Sequence, residues 1–271
     1  MRIIASDLDG TLLNSQSKVS KENFDAIEEL SKKGVHFVPS SGRTLSEVPE
    51  EIRENENIRY IIYSNGAAIR DKKNNEDILM CISKAEAKAV FDILYSYKIH
   101  ITVRFGGKCY IDADCQTESD YEFYNVWQLH KEVINEYGIR KKDFKSFCYE
   151  ADNIEVMSVF FHDDADKEEC RKRLCNTGFV RVVEGWKCNL EICSIEAGKG
   201  SALKVLAKKL DIDIKDTIAV GDCDNDTSMS ETAGLGVAMG NAIDSLKKKA
   251  DSVICKNDEH AISYILKNYI D

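Results

Sequence analysis

The sequence predicts an α/β protein in which a doubly wound, Rossmann-like parallel sheet carries an inserted α+β domain. Three observations support this fold class. Both ends of the chain alternate short apolar strands with amphipathic helices, the middle contains closely spaced strand pairs, and acidic residues follow directly after apolar strands at both ends. At 271 residues the chain is long enough for two modest domains.

The two ends of the chain supply the elements of the parallel sheet. Strand, helix and strand in succession imply parallel pairing with a right-handed crossover. In the first helix Phe24, Ile27 and Leu30 share one face, and Gly34 stands at its C-terminal cap. The predicted strands are Ile3–Ser6, Val35–Val38, Tyr60–Tyr63, Thr217–Val220, Gly236–Met239 and Ser252–Cys255, and the helices are Ser20–Lys33, Ser201–Leu210 and Glu259–Asn268.

The middle of the chain has a different texture. The strand pair around Gly106-Gly107 predicts a hairpin, and hairpins are typical of an antiparallel sheet. We therefore expect a core of residues 1–83 and 190–271 and an inserted domain of residues 84–189. The predicted strands are Ile99–Phe105, Lys108–Ile111, Glu155–His162, Phe179–Glu184 and Lys187–Ile192, and the helices are Lys84–Tyr97, Glu118–Tyr137 and Asp164–Asn176.

Composition excludes several classes of function. A formal charge of −10 and a pI near 5.2 argue against a surface that binds nucleic acid through its phosphates. No apolar stretch approaches the length of a membrane span, and the first residues lack the pattern of a signal peptide. We expect a cytoplasmic protein, not bound to membranes, that acts as a monomer or a weak homodimer on a small metabolite.

Asp7-Leu8-Asp9-Gly10-Thr11 is the most informative segment. Side chains two residues apart in an extended chain point to the same side, so Asp7 and Asp9 can converge on one metal ion or one reacting atom. Gly and Thr end the strand and leave both acids at the carboxyl edge of the sheet, where open α/β folds bind ligands. A strand end followed by an Asx-type turn, with no catalytic role, explains these residues equally well.

A second acidic segment, Gly221-Asp222-Cys223-Asp224-Asn225-Asp226, follows the apolar strand that ends at Val220. Acidic groups at the carboxyl ends of two parallel strands can share one hard cation, and oxygen ligands suit Mg²⁺. An EF-hand is excluded because Thr227 and Ala233 occupy the positions that need Gly and Glu.

Three further motifs are weaker when each is taken alone. Lys199 lies between glycines at the start of a helix, where an anion is favoured, but an ordinary loop lysine fits as well. Ser41-Gly42-Arg43 offers a hydroxyl and a guanidinium that could hold a phosphoryl group or stabilise the loop. Ser64-Asn65-Gly66 is either a hairpin turn or a substrate contact.

Taken in order, these motifs resemble those of the haloacid dehalogenase-like phosphatases, and most closely the Cof-like branch with a type IIB cap. The resemblance covers the full length and includes Met239-Gly240-Asn241-Ala242. It implies that Asp7 is the nucleophile, that Asp9 is the general acid and base, and that Ser41 and Lys199 hold phosphoryl oxygens. It further implies a Mg²⁺ site formed by Asp7, Asp9, Asp222 and Asp226, and phosphate or substrate contacts from Leu8, Gly10, Thr11, Gly42, Arg43, Asn65 and Asn225.

The resemblance makes the inserted domain a cap that selects substrate. The expected function is Mg²⁺-dependent hydrolysis of small phosphate monoesters, with sugar phosphates as the first class to test. A phosphomannomutase-like phosphotransferase is an alternative, since it shares this core and passes the phosphoryl group to a sugar. A phosphometabolite-binding protein without activity is a further alternative, but such a protein has no need of a nucleophile beside an acid.

Overall fold

The computed structural model describes residues 2–184 and 189–270. Its strands and helices are numbered here in chain order. The strands within these ranges are β1 (Ile3–Ser6), β2 (His36–Pro39), β3 (Tyr60–Tyr63), β4 (Ala68–Asp71), β5 (Glu76–Leu79), β6 (Ile99–Phe105), β7 (Lys108–Asp112), β8 (Gly138–Lys141), β9 (Ile154–Phe161), β10 (Val180–Glu184), β11 (Asn189–Ser194), β12 (Thr217–Gly221), β13 (Leu235–Ala238) and β14 (Ser252–Val253). The α-helices within the same ranges are α1 (Lys21–Lys32), α2 (Glu50–Arg53), α3 (Lys84–Leu94), α4 (Glu118–Phe123), α5 (Gln128–Tyr137), α6 (Phe144–Glu150), α7 (Asp164–Cys175), α8 (Lys199–Lys209), α9 (Thr227–Ser230), α10 (Asp244–Lys249) and α11 (Ala261–Tyr269).

Two compact units divide these elements between them. The first takes in residues 1–43, 48–78 and 198–271, and the second takes in residues 44–47 and 79–197. The insertion that the sequence predicts at 84–189 falls within the second unit, which extends a few residues further at each end. No helix in the described part of the chain combines the length and apolar character that crossing a membrane requires.

A parallel sheet organises the first unit, in the order β14-β13-β12-β1-β2. Strand β1 is central and all four of its residues are buried, which explains why it reads as a continuous apolar run rather than an alternating one. The predicted parallel sheet is therefore confirmed. Beyond β2 lies an antiparallel ribbon, β3-β4-β5, joined to it by a parallel bridge between Ser40 and Ile62.

Local sequence explains the ends of the first helix. The Ser20 hydroxyl accepts the N–H of Asn23 and so caps α1, while the helix ends at Lys32 and Gly34 adopts a φ of 74° just beyond it. The buried face includes Ile27 and Leu30, as the apolar spacing predicts. The observed helix is one residue shorter at each end than the predicted span because the capping residues lie outside it.

A mostly antiparallel sheet organises the second unit, in the order β10-β11-β9-β6-β7-β8, with β7 and β8 parallel. The predicted antiparallel insertion is therefore confirmed. Gly106 and Gly107 both have positive φ values and turn β6 into β7, as expected of a hairpin. Residues of α3, α6 and α7 bury apolar side chains against this sheet, including Phe91, Phe144 and Leu174.

Two predictions in this unit need correction or restriction. The single helix predicted over Glu118–Tyr137 is two helices, because Asn125 adopts a left-handed conformation, with a φ of 56°, between α4 and α5. Asn tolerates that conformation better than most residues, so it breaks the helix there. The strand predicted over Lys187–Ile192 begins outside the described residues, and its described part is Asn189–Ser194.

Candidate active site

The candidate site lies at the carboxyl ends of β1 and β12. These strands pair in parallel with Ser6 opposite Val220, so the residues that follow each strand emerge at the same edge of the sheet. The N–H of Asp7 donates to the carbonyl of Val220 over 2.9 Å, which extends the pairing by one residue. The fold therefore brings Asp7 to the acidic segment that begins at Asp222.

Lys199 joins the two acidic segments. It is the first residue of α8 and is 1 % exposed, and its Nζ lies 2.5 Å from Asp7 Oδ1 and 2.6 Å from Asp226 Oδ1. A cation at a helix N-terminus opposes the helix dipole and loses hydration when it is buried. The carboxylates of Asp7 and Asp226 compensate for both effects. Lys199 is therefore not an ordinary loop lysine, which was the alternative that the sequence allowed.

Asp226 and Asp222 are held by different donors. Asp226 Oδ2 accepts the backbone N–H groups of Asp222 and Cys223, over 2.9 and 3.0 Å, so both of its oxygens are engaged. The Thr11 hydroxyl donates to Asp222 Oδ1 over 3.0 Å. Thr11, which the sequence predicts to contact phosphate, thus orients the Asp222 carboxylate in this structure.

Gly10 makes the approach of these segments possible. It has a φ of 82°, and a Cβ at this position would lie 2.5 Å from Asp222 Oδ2. Any other residue would combine backbone strain with a collision against that carboxylate. Leu8, two residues earlier, is fully buried, which leaves its backbone as the part able to meet a ligand.

The electrostatics of this cluster are dominated by burial and by surplus negative charge. Burial raises the pKa of Asp7 to about 8, with Lys199 opposing the rise and Asp226 and Asp222 adding to it. Burial alone would lower the pKa of Lys199, but Asp7 and Asp226 outweigh it, so that pKa is raised and the lysine stays charged. Burial also raises the pKa of the Asp222 carboxyl.

Asp7, Asp222 and Asp226 each offer a carboxylate oxygen within 4.8 Å of the others. Three carboxylates and one ammonium leave the cluster with excess negative charge when all are ionised. Oxygen donors in such an arrangement fit a hard divalent cation such as Mg²⁺. The cluster therefore has both the ligand type and the charge that the predicted metal site requires.

Asp9 lies outside this buried cluster. Its side chain is 56 % exposed, and Arg43 holds it through two hydrogen bonds, from Nε to Oδ2 over 2.8 Å and from Nη2 to Oδ1 over 2.6 Å. This bidentate pair links the first strand end to the loop after β2. The sequence predicts that Arg43 contacts a phosphate or stabilises its own loop, and the structure shows its guanidinium bonded to Asp9.

The remaining predicted contacts lie in neighbouring loops. The Ser41 hydroxyl accepts the N–H of Arg43 over 3.2 Å, and Ser41 is 1 % exposed. Asn65 and Asn225 bond to each other, from Asn225 Nδ2 to Asn65 Oδ1 over 3.0 Å. Gly42 faces Asn65 Oδ1, where a Cβ would lie at 3.0 Å.

One contributor was not given a role from the sequence. The Asn241 amide donates to the carbonyl of Gly10 over 2.8 Å, while its Oδ1 accepts the N–H of Asn257 over 3.0 Å. It thereby holds the turn after Asp9 against the loop after β13. The sequence did offer a signal for Asn241, because this residue follows β13. Strand β13 pairs in parallel with β12, so the two strands end at the same edge of the sheet.

Known proteins resemble this chain over nearly its whole length. The sequence profile of the haloacid dehalogenase-like hydrolases matches residues 4–266. Phosphatase YwpJ of Bacillus subtilis is 33 % identical over 285 residues, covering 100 % of both chains. The 5-amino-6-(5-phospho-D-ribitylamino)uracil phosphatase YwtE of the same organism is 30 % identical and covers 98 % of this chain and 97 % of its own.

The fold has a solved counterpart as well. The structure of a haloacid dehalogenase-like hydrolase from B. subtilis superimposes with a TM-score of 0.77 at 33 % identity. The match covers 99 % of this chain and 100 % of that one. Both units of the present fold therefore have counterparts in a single known protein.

Proposed function

The chain belongs to the haloacid dehalogenase-like hydrolases, and from this premise we propose that it is a Mg²⁺-dependent phosphatase that hydrolyses small phosphate monoesters through an aspartyl-phosphate. The observation that carries the proposal is the buried Asp7–Lys199–Asp226 arrangement beside Asp222, with a second, exposed aspartate two residues from Asp7. A buried carboxylate beside a cation suits a nucleophile, and an exposed carboxylate can exchange protons with substrate and water.

The cation would be held chiefly by Asp7 and Asp222, with the backbone of Asp9 as the further ligand that the family resemblance implies. Both oxygens of Asp226 already accept hydrogen bonds, so its main contribution is to hold Lys199 and the acidic loop. When bound, Mg²⁺ neutralises phosphoryl oxygens and reduces the repulsion between the substrate dianion and the attacking carboxylate.

The residues of the chain account for each bond that forms or breaks. An oxygen of Asp7 attacks phosphorus as the ester P–O bond breaks, and the departing alkoxide takes a proton from Asp9. Asp9 then removes a proton from water, whose oxygen attacks phosphorus as the acyl-phosphate P–O bond breaks. Inorganic phosphate leaves and Asp7 is regenerated, while Lys199 and Ser41 hold phosphoryl oxygens throughout.

Arg43 orients Asp9 before substrate binds, and it must release an Asp9 oxygen for the proton transfers, because both oxygens accept hydrogen bonds from the guanidinium. Its bidentate grip fixes the plane of the exposed carboxylate, which would otherwise rotate freely. The guanidinium is 30 % exposed, so an incoming phosphate can reach it and compete for it. We therefore assign Arg43 to orient Asp9 and to contact substrate.

The second unit is assigned to substrate selection, as a cap. Polyhydroxylated small phosphates, sugar phosphates among them, are the first class to test. One curated relative, by its name, acts on a phosphorylated ribityl compound, which supports a substrate with a polyol chain.

The test is phosphate release from a panel of sugar phosphates, nucleotides and cofactor phosphates, with Mg²⁺ or with EDTA. We expect release that depends on Mg²⁺ and on Asp7, and, after acid quenching with ³²P-labelled substrate, protein-bound label that hydroxylamine removes. Asp7→Asn should abolish both signals. Asp224→Asn is the matched control, because Asp224 is an exposed acid of the same loop, and its Oδ1 accepts a 3.3 Å hydrogen bond from the Ser245 hydroxyl.

The outcomes separate this proposal from its rivals. Release of phosphate that requires a second sugar acceptor would identify a phosphotransferase. Binding of phosphorylated compounds without turnover would identify a non-catalytic binder. Full activity in Asp7→Asn would refute the covalent mechanism.

A further inference from the structure

Ser64, Asn65 and Gly66, which connect β3 to β4, form a strained segment. Their φ values are 50°, 54° and 85°, so three consecutive residues adopt the left-handed region. Ser64 is also fully buried. Non-glycine residues rarely occupy this region, and such strain persists only where the surrounding structure imposes it.

This segment contacts three loops of the candidate active site. The N–H groups of Ser64 and Asn65 donate to the carbonyls of Arg43 and Ser41, over 2.8 and 2.9 Å. The side chain of Asn65 accepts the amide N–H of Asn225. These bonds fix the segment to the loop after β2 and to the loop after β12.

Gly66 makes the contact with the third of these segments, the start of α8. A Cβ at Gly66 would collide with the backbone of Gly198 and with the N of Lys199. The segment is therefore packed directly against the start of α8, where Lys199 is positioned. A hairpin turn alone would need none of these three contacts.

We propose that Asn65 is a positioning residue for the phosphatase reaction, acting through Asn225, and that it does not itself bind substrate. The inference rests on the proposed function. Asn225 belongs to the short turn Asp224–Asp226, whose last residue, Asp226, binds Lys199 and also accepts the backbone N–H of Asp222, two residues before the turn. Fixing Asn225 therefore fixes the acidic loop relative to Ser41 and Arg43.

The structural alternative is that Asn65 is present only because it tolerates a positive φ. Gly tolerates the same conformation without strain, so Asn65→Gly keeps the turn and removes the side chain with its carboxamide. Asn75→Gly is the matched control. Asn75 is also left-handed, with a φ of 52°, and its Oδ1 accepts a hydrogen bond from Arg70 in the turn between β4 and β5.

We expect Asn65→Gly to melt at or above the wild-type temperature, yet to lose about 10- to 100-fold in kcat or in Mg²⁺ affinity, as is typical when a residue that orients metal ligands is removed. KM for the phosphate ester should change little. Asn75→Gly should retain wild-type kcat and Mg²⁺ affinity. Mg²⁺ affinity is measured by calorimetry, so this readout does not require turnover.

A double-mutant cycle tests the route through Asn225. If Asn65 acts through Asn225, adding Asn65→Gly to Asn225→Ala should produce no further loss. Losses that multiply, or a raised KM with unchanged kcat, would show that Asn65 meets substrate directly and would overturn the proposal. If Asn65→Gly keeps the wild-type kcat and Mg²⁺ affinity, Asn65 serves only to form the turn, and the proposal is refuted. A wild-type protein that releases phosphate from no substrate would refute the proposed function instead, while the calorimetric comparison would still decide the role of Asn65.

Discussion

Replacing Lys199 by Met tests the electrostatics of the buried cluster most directly. Met fills a similar volume but carries no charge, so Asp7 and Asp226 lose the cation that lies within 2.6 Å of both. Removing one partner of a buried ion pair typically costs about 3–5 kcal/mol, because the other charge is left uncompensated. For a protein of this size that corresponds to a fall in melting temperature on the order of 10 °C.

The loss should depend on pH and on Mg²⁺. The pKa of Asp7, about 8, lies above its usual value, so Asp7 contributes most to stability at low pH and loses that contribution as pH rises through 8. Without Lys199 the pKa rises further. The variant should therefore be destabilised less at pH 6, where Asp7 is protonated in both proteins, than at pH 9. Mg²⁺ supplies the missing positive charge and should recover part of the loss.

Thermal unfolding followed by far-UV circular dichroism is the appropriate assay. Both tryptophans, at positions 127 and 186 of the sequence, fall outside the segments 1–43, 48–78 and 198–271 of the first unit, so tryptophan fluorescence serves as an internal comparison. Lys204→Met is the matched control, because Lys204 is an exposed lysine of the same helix. It should change stability by less than about 0.5 kcal/mol. An equal loss in Lys199→Met at both pH values, with and without Mg²⁺, would refute the electrostatic reasoning and indicate a packing defect.

Three further predictions concern the reaction and its cation. Asp7→Asn should raise the melting temperature of the metal-free protein at pH 9, since it removes a buried like charge; a lower melting temperature would contradict this. Asp9→Asn should slow hydrolysis of alkyl phosphates by about 10²- to 10⁴-fold but that of p-nitrophenyl phosphate far less, because nitrophenolate leaves without a proton. Equal losses on both esters would count against its role as acid. Apparent Mg²⁺ affinity, measured by calorimetry, should tighten between pH 6 and pH 8 by up to about tenfold per pH unit, since a proton on Asp7 competes with the cation. An affinity independent of pH would exclude Asp7 as a titrating ligand.

The fold was predictable wherever a segment carried its own signal. Strand β6 matches the predicted span Ile99–Phe105, because its apolar and β-branched residues end at two glycines. The ribbon strands β4 and β5 and the edge strand β8 were not predicted. Their residues, such as Arg70 and Asp77 or Arg140 and Lys141, are polar, and strand formation there depends on pairing with a neighbour that local sequence does not reveal.

The same distinction applies to the site. Asp7, Lys199, Asp222 and Asp226 were all predicted, and the structure brings them together as neighbours. Their pairing could not be derived from spacing, since Asp7 and Lys199 are 192 residues apart. Two side-chain contacts could not be predicted from the sequence either: the ion pair between Arg43 and Asp9, and the hydrogen bond from Thr11 to Asp222. Each depends on how a side chain is oriented toward a residue of another segment.

The interleaved architecture of the first unit has a consequence for how the protein reaches its native state. The central strand β1 pairs with β12, whose residues come more than 200 positions later in the chain. During synthesis β1 can therefore pair with β12 only after most of the chain has been made. The span 79–197 is continuous and can fold earlier, whereas closing the loop between β1 and β12 carries a larger entropic cost and is slower. The buried Asp7–Lys199–Asp226 cluster is thus completed last, and a nascent chain that stops before Asp226 contains Asp7 but not both acidic partners of Lys199.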